Sequence, residues 1–267
     1  MNKKIIAPLL VAFMSLGYLG AAQAEGSFSP IPQVTDGWRV SVSPYAWLPT
    51  VNTTDGAGAG SKTVDISLHD ILTNLKSGMM IAGEVHYGKW GLALDFANAV
   101  VSKAGTFYPV GTPTQISDKA TLQASLFNAM GAYTVFNNQD VYVDALAGVR
   151  WISLTTSFDF TVTSDPSLAV NPSSVASSTY GVVGVNSRYR IMGSNWYIPL
   201  YADVGTAGGS NHQTWQASAG VGVALSKLVD VSLTYRAIGF DIKTGSNDTA
   251  LIKGLFHGPQ LMATFNF

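Results

Sequence analysis

The chain has no cysteine in its 267 residues. That excludes a disulfide framework, a thiolate metal site and a thiol nucleophile. It is also poor in charge: Asp, Glu, Lys and Arg make up 12% of the residues against 47% hydrophobic ones, whereas an average soluble domain is about 25% charged. A formal net charge of −1 leaves no basic surface for a nucleic-acid partner. Beyond residue 24 no apolar run approaches the about 20 residues of a membrane-spanning helix. A chain this apolar, with neither apolar blocks nor much charge, must disperse its hydrophobic residues by alternation, which at period two is a strand signal.

The N-terminus is different in kind. Lys3 and Lys4 precede an apolar stretch from Ile5 to Leu19, and Ala22-Gln23-Ala24 follows as a small-x-small cleavage site. This predicts a secretory signal over residues 1–24 with Glu25 as the first mature residue. A permanent anchor would need a longer run, and Pro8, Ser15, Gly17 and Gly20 interrupt this one. Removing the signal leaves 13 basic residues against 16 acidic ones. An exported chain without disulfides needs another source of rigidity, and a closed ring of strand hydrogen bonds in lipid supplies it, because no edge remains unpaired.

The rest of the sequence reads as ten strand segments: about Trp38 to Leu48, Ser77 to Tyr87, Trp90 to Val101, Lys119 to Phe136, Val141 to Phe158, Thr179 to Met192, Trp196 to Gly205, His212 to Leu225, Asp230 to Phe240, and Gly258 to the end. Short turns such as Gly88-Lys89 and Gly193-Ser194-Asn195 alternate with long connections rich in Gly, Ser, Thr, Asn and Pro. The expected fold is all-β: a transmembrane, antiparallel, up-and-down β-barrel of about ten strands, within a range of about 8–12, with short periplasmic turns and longer outer loops. Residues 25–37 form a periplasmic N-terminal segment and residues 38–267 the barrel domain. Trp38, Tyr87, Trp90, Phe136, Trp196, Phe265 and Phe267 fall at the expected periplasmic ends, where an aromatic girdle belongs.

The last strand puts Leu261, Ala263, Phe265 and Phe267 on one face and Gln260, Met262, Thr264 and Asn266 on the other. A terminal aromatic closing a two-residue period resembles the C-terminal signal of bacterial outer-membrane barrels. That resemblance implies that Phe265 and Phe267 address the outer-membrane assembly machinery.

One segment breaks the alternation. Leu68, Ile71, Leu72 and Leu75 have helical spacing, Ser67 and Asp70 are placed as a capping pair, and Gly78 stands beyond Lys76 as a stop. A short helix is expected in the first long connection. Its placement is open between a plug in the lumen, the outer lipid interface and the barrel rim.

Trp38 with Pro44-Tyr45-Ala46-Trp47-Leu48, Val64-Asp65-Ile66-Ser67-Leu68 with Asp70-Ile71-Leu72 and Asn74-Leu75, Lys89-Trp90-Gly91-Leu92 with Asp95, Tyr201-Ala202-Asp203-Val204-Gly205, Tyr235-Arg236 and Gly258-Pro259 together resemble an uncharacterised family of porin-like outer-membrane β-barrel proteins of Gram-negative bacteria. The resemblance runs over most of the mature chain and implies a barrel without an established activity.

If the apolar parity of each strand meets lipid, the other parity collects Arg39, Glu84, His86, Asp95, Asp144, Arg150, Arg188, Arg190, Asp203 and Arg236. A charge on the lipid face costs about 2–4 kcal/mol at the midplane, so these side chains are expected inside, as an arginine–carboxylate network. Such a network ties strands together or lines a narrow charged water path. For catalysis, an acid–histidine pair is required; His86 with Glu84 and Asp95, and Asp203 with His212 across one loop, are the candidates. His69 and His257 are read as loop residues, no spacing reads as a metal site, Gly56 to Gly60 is a flexible loop, and no cofactor is implied. The expected protein is a non-enzymatic barrel in contact with outer-membrane lipid: first a small porin-like channel for low-molecular-weight solutes, then a closed structural or surface-interaction barrel, and third a lipid-modifying or proteolytic enzyme. Substituting Phe267 by alanine is expected to impair assembly, read as loss of the heat-modifiable folded band in outer-membrane fractions; a normal folded yield would refute the terminal-signal reading.

Overall fold

A computed structural model describes residues 28–55, 62–107, 116–162, 165–208, 212–244 and 250–267. The expected signal segment 1–24 and the Gly56 to Gly60 loop lie outside the described residues. The strands among the described residues are β1 (Trp38–Trp47), β2 (Thr50–Asp55), β3 (Lys62–Ile66), β4 (Leu75–Tyr87), β5 (Trp90–Phe107), β6 (Ile116–Asn137), β7 (Val141–Val162), β8 (Asp165–Val170), β9 (Ser173–Arg190), β10 (Trp196–Thr206), β11 (Gln213–Ala224), β12 (Val229–Thr244) and β13 (Ala250–Asn266), and a helix, α1 (Leu68–Asn74), lies between β3 and β4. Ten of them form the barrel wall in the order β1-β4-β5-β6-β7-β9-β10-β11-β12-β13, and β13 pairs back onto β1. All pairs are antiparallel, so this is a closed up-and-down barrel. Among the described residues no helix is long and apolar enough to cross a membrane.

The seam is zipped to the last residue. Val42 lies opposite Phe265 and Trp47 opposite Gln260, Phe267 N–H donates to the Val40 carbonyl at 2.8 Å, and Val40 N–H returns the bond at 3.3 Å. Above the seam, β2 continues the wall along β13, with Val51 opposite Phe256, and β3 folds back on β2. The first long connection thus supplies two further strands, Thr50–Asp55 and Lys62–Ile66, before the helix.

The strands are longer than the alternation suggests. A tilted membrane strand needs about 9–11 residues, whereas β6 and β7 have 22 each. The stretches read as loops from Ser102 to Asp118 and from Asp159 to Ser178 are in large part strand. Their polarity shows why. On the lower part of β12, Asp230, Ser232, Thr234 and Arg236 are buried while Leu233 and Tyr235 are exposed; farther on, Ile238, Phe240 and Ile242 are the buried ones. On β7 the same inversion falls between Arg150 and Ile152: Val149 and Trp151 stand outward and exposed, then Ile152 and Leu154 are buried. Near the short turns the cylinder is apolar outside and polar inside, as lipid requires. Beyond the inversion it is apolar inside, the polarity of a soluble barrel.

The short-turn rim carries the aromatic girdle. Trp38, Tyr87, Trp90, Phe136, Trp196 and Phe267 are exposed, and neighbours pair along the rim, Trp38 with Tyr87 at 5.2 Å and Trp90 with Tyr133 at 4.7 Å between ring centroids. At a register shift between Thr134 and Phe136 of β6, a bulge lets two consecutive residues, Val135 and Phe136, both stand outward.

Helix α1 is capped as expected, with Ser67 Oγ accepting from Asp70 N–H at 3.2 Å. It ends earlier than expected: Leu75 is already extended and opens β4, so Leu75 is not on a helical stripe and Gly78 is no stop. Ile71 is buried in the interior apolar cluster while Leu72 is exposed; the side chain of Leu68 lies outside the described ones. Asp70 also faces Lys103 of β5 at 3.7 Å. The Ser67 hydroxyl bond, followed by the Lys103 charge, holds its carboxyl below the usual carboxylate range.

One glycine is a packing position of its own. At Gly222 a Cβ would collide with the ring of Tyr197, which lies across it and reaches Asp230. Gly222→Val is therefore expected to displace that ring and cost about 1–3 kcal/mol by overpacking, measured as a lower urea midpoint of the refolded protein.

Candidate functional site in the barrel lumen

The interior polar side chains fall into two groups stacked along the bore. The upper group is built around two arginines. Arg150 and the Asp203 carboxylate, both fully buried, form a two-bond fork: Nη1 donates at 2.9 Å and Nη2 bonds the other oxygen. Arg150 Nε donates to Asn128 at 2.7 Å, and its Nη atoms to Thr214 at 3.2 Å and Gln216 at 3.1 Å. Arg236 Nη2 donates to Asp95 at 2.7 Å and to the same Gln216 oxygen at 3.1 Å, and Nη1 donates to Tyr45 at 3.2 Å and Gln260 at 3.3 Å. The Arg236 guanidinium lies 4.9 Å from the Trp47 ring centroid. Tyr45 donates to Asp95 at 2.5 Å, Asn128 to Asp95 at 3.1 Å, and Tyr201 to Asp203 at 2.7 Å. Gln216 and Asn128 thus join the two arginine centres into one network with a member on every barrel strand except β4 and β9.

The lower group, nearer the short turns, contains those two strands. Arg188 of β9 donates to Asp230 at 3.3 Å and lies over the Tyr197 ring, whose hydroxyl donates to Asp230 at 2.5 Å. His86 of β4 stands 3.6 Å from Glu84 and 3.9 Å from Asp144, and Tyr142 donates to Asp144 at 2.8 Å. Arg39 approaches the Tyr142 hydroxyl at 3.5 Å. Cavities of about 180 Å³ and about 250 Å³ lie among these residues and share Ser41, Glu84, His86, Asn186 and Arg188 as walls.

Several expected groupings are different in the structure. Asp95 belongs to Arg236 and not to His86, because Ala82 and Asp95 are opposite each other four residue pairs farther from the turn than His86; Asp144 of β7 stands beside the histidine instead. Asp203 and His212 do not meet: Asp203 is held inside by Arg150, while His212 Nε2 accepts from the Lys243 backbone N–H at 3.1 Å. Arg190 sits at the rim, where its Nε donates to the Ser194 carbonyl at 2.7 Å and fastens the 191–195 turn. His257 is on strand β13, bonded to Tyr235 at 2.6 Å and Asn52 at 3.1 Å, and His69 is in α1. Asp230, Asn128, Gln216 and Gln260 were missed. Asp230 shares the parity of Arg236 and was readable; the amides carry no charge, so a charge-based parity list passes over them. Among the described residues no three His, Asp or Glu side chains are grouped to hold a metal ion.

Above the arginine network the bore is filled by Trp47, Val51, Ile152, Tyr180, Ile238, Phe240 and Phe256, none more than 7% exposed. The Phe240 and Phe256 rings meet edge to face at 5.2 Å.

No protein-family model matches the chain, and no curated protein does. Solved structures do. The outer membrane protease OmpT from Escherichia coli matches over 90% of this chain and 100% of its own at a TM-score of 0.54 with 8% identity. The translocator domain of the autotransporter NalP from Neisseria meningitidis covers 98% and 96% at 0.46 and 10% identity, and Ail of Yersinia pestis 87% and 100% at 0.37 and 10%. The chain shares the closed antiparallel fold of an outer-membrane β-barrel.

Removing one partner of a buried ion pair strands the other, at about 3–5 kcal/mol. Asp203→Ala is expected to destabilise the refolded barrel by that order, and the double substitution Arg150→Met with Asp203→Leu to recover most of it. Urea unfolding followed by electrophoretic mobility measures both; equal losses would mean that the charge pairing is not what the site depends on.

Proposed function

We propose that the protein is an outer-membrane barrel with a closed lumen, serving as a structural or surface-interaction element and not as an open pore. The observation that carries this reading is the apolar filling of the bore above the arginine network, where Trp47, Ile152, Tyr180, Ile238, Phe240 and Phe256 pack across the interior. Ions crossing that layer would have to leave water for a cluster of hydrocarbon and ring surfaces. Two further features support it. In the polar network below, Arg150 spends its Nε, Nη1 and Nη2 on Asn128, Asp203, Thr214 and Gln216, as a strand-tying network does, while Arg236 Nε and His86 Nδ1 are left without a partner. The long strands carry a soluble-type, polar-outside wall beyond the lipid band, a surface suited to contacts outside the membrane.

In this reading a cleaved signal exports the chain, the short-turn rim lies in the periplasm, the C-terminal strand addresses the assembly machinery, and the lower outward face contacts outer-membrane lipid. No catalytic role is assigned: Asp203 and His212 do not meet, and His86 with Glu84 and Asp144 lies inside the wall near the short turns, away from the outer rim. The porin-like channel is the rival, favoured by the charged lower lumen. Planar-bilayer recording of the refolded mature protein, with and without residues 66–76, separates them. Silence from both forms is expected. Steady conductance of the intact protein would restore the channel, and conductance only after the deletion would make α1 its plug.

A further inference from the structure

The chain ahead of β1 does not hang free below the barrel. Residues 29–34, Ser-Pro-Ile-Pro-Gln-Val, leave the seam side at β1 and cross the short-turn mouth to β6 and β9. In the ring of ten, β9 stands five strands from β1, so the segment spans the bore. Ile31 is 3% exposed.

The way it is held is the way an extended peptide is read. The Asn137 amide at the end of β6 bonds the backbone in both senses, donating from Nδ2 to the Pro32 carbonyl at 2.8 Å and accepting at Oδ1 from the Val34 N–H at 3.4 Å. Arg188 Nη1 donates to the Pro30 carbonyl at 3.4 Å. The intervening Ile31 carbonyl is taken by Gln33 Nε2 at 3.1 Å, and the Ile31 N–H by Ser29 Oγ at 3.3 Å. Pro30 and Pro32 have no N–H to satisfy, and proline favours the extended backbone that this path needs at low entropic cost. Backbone can therefore be buried here without a ladder. The segment lines the cavity of about 250 Å³ together with Arg39, Glu84 and Asp230.

We propose that the short-turn mouth is a recognition site for an extended, proline-flanked peptide with one buried aliphatic anchor, and that residues 29–34 are its built-in ligand, stoppering the polar chamber behind them. Asn137 and Arg188 read the peptide backbone, and the side chain of Ile31 is the anchor. Tethering supplies an effective concentration of about millimolar order, so a free peptide of the same sequence should occupy the vacated mouth at similar concentration.

The absence of native cysteine allows a direct test. Ser41→Cys places one thiol on the wall shared by both cavities, and its reaction with 2-sulfonatoethyl methanethiosulfonate is timed in refolded protein whose folded mobility is confirmed. Deleting residues 28–34 is expected to speed labelling about tenfold or more, the equivalent of about 1.4 kcal/mol of protection. Asn137→Ala, in the full chain, should speed it in the same direction. Millimolar peptide Ser-Pro-Ile-Pro-Gln-Val should slow the deletion variant again, and the same peptide with alanine in place of isoleucine should not. Equal labelling rates with and without the segment would overturn the stopper. Faster labelling indifferent to the peptide, or slowed equally by both peptides, would overturn the recognition site.

Discussion

In hydrocarbon a backbone N–H or carbonyl finds no water, so each must be bonded to another part of the chain. For strands that leaves only a closed cylinder, and closure is completed here by the reciprocal bonds between Val40 and Phe267. Once the wall is closed, the two-residue period assigns every side chain to lipid or to the bore. Val149 and Trp151 stand outward because Arg150 between them cannot. The inward arginines and carboxylates then bond one another across the bore.

The inversion of polarity along β7 and β12 follows from the same constraint meeting a different solvent. Where lipid ends, apolar side chains gain nothing outside and are driven into the bore by water. The same strands that enclose Arg150 and Arg236 then enclose Ile152, Leu154, Ile238 and Phe240 a few residues on. The barrel is two structures in series on one set of strands: a polar-cored cylinder in lipid and an apolar-cored one above it. An apolar layer packs across the bore above the arginines, and residues 29–34 lie across its lower mouth.

Much of this was legible from residues alone. The ten wall strands, the short turns, the girdle and the capping pair at Ser67 and Asp70 are local or periodic features; the inward parity names the arginines of both lumen groups but passes over Asp230 and the amides, and it also names Arg190, whose position at the strand end lets it turn to the rim. What went unread is also instructive. The far ends of β5, β6, β7 and β9, residues 102–107, 116–118, 159–162 and 173–178, were passed over as loops because they lack the lipid-facing signature, although the inversion of polarity itself is written in the sequence. The pairing of Asp203 with Arg150 and of Asp95 with Arg236 could not be read, because each joins residues far apart along the chain.

The chain by itself determined that it forms a closed barrel and which side chains turn inward, because alternation, turn chemistry and the energy of charge in lipid act within one strand or one hairpin. Only the tertiary structure decided which carboxylate each arginine holds, that the bore is filled above them, and that Ser-Pro-Ile-Pro-Gln-Val crosses the mouth. Those outcomes depend on how ten strands curve round to face one another, and a distance across a bore has no counterpart in the spacing along a sequence.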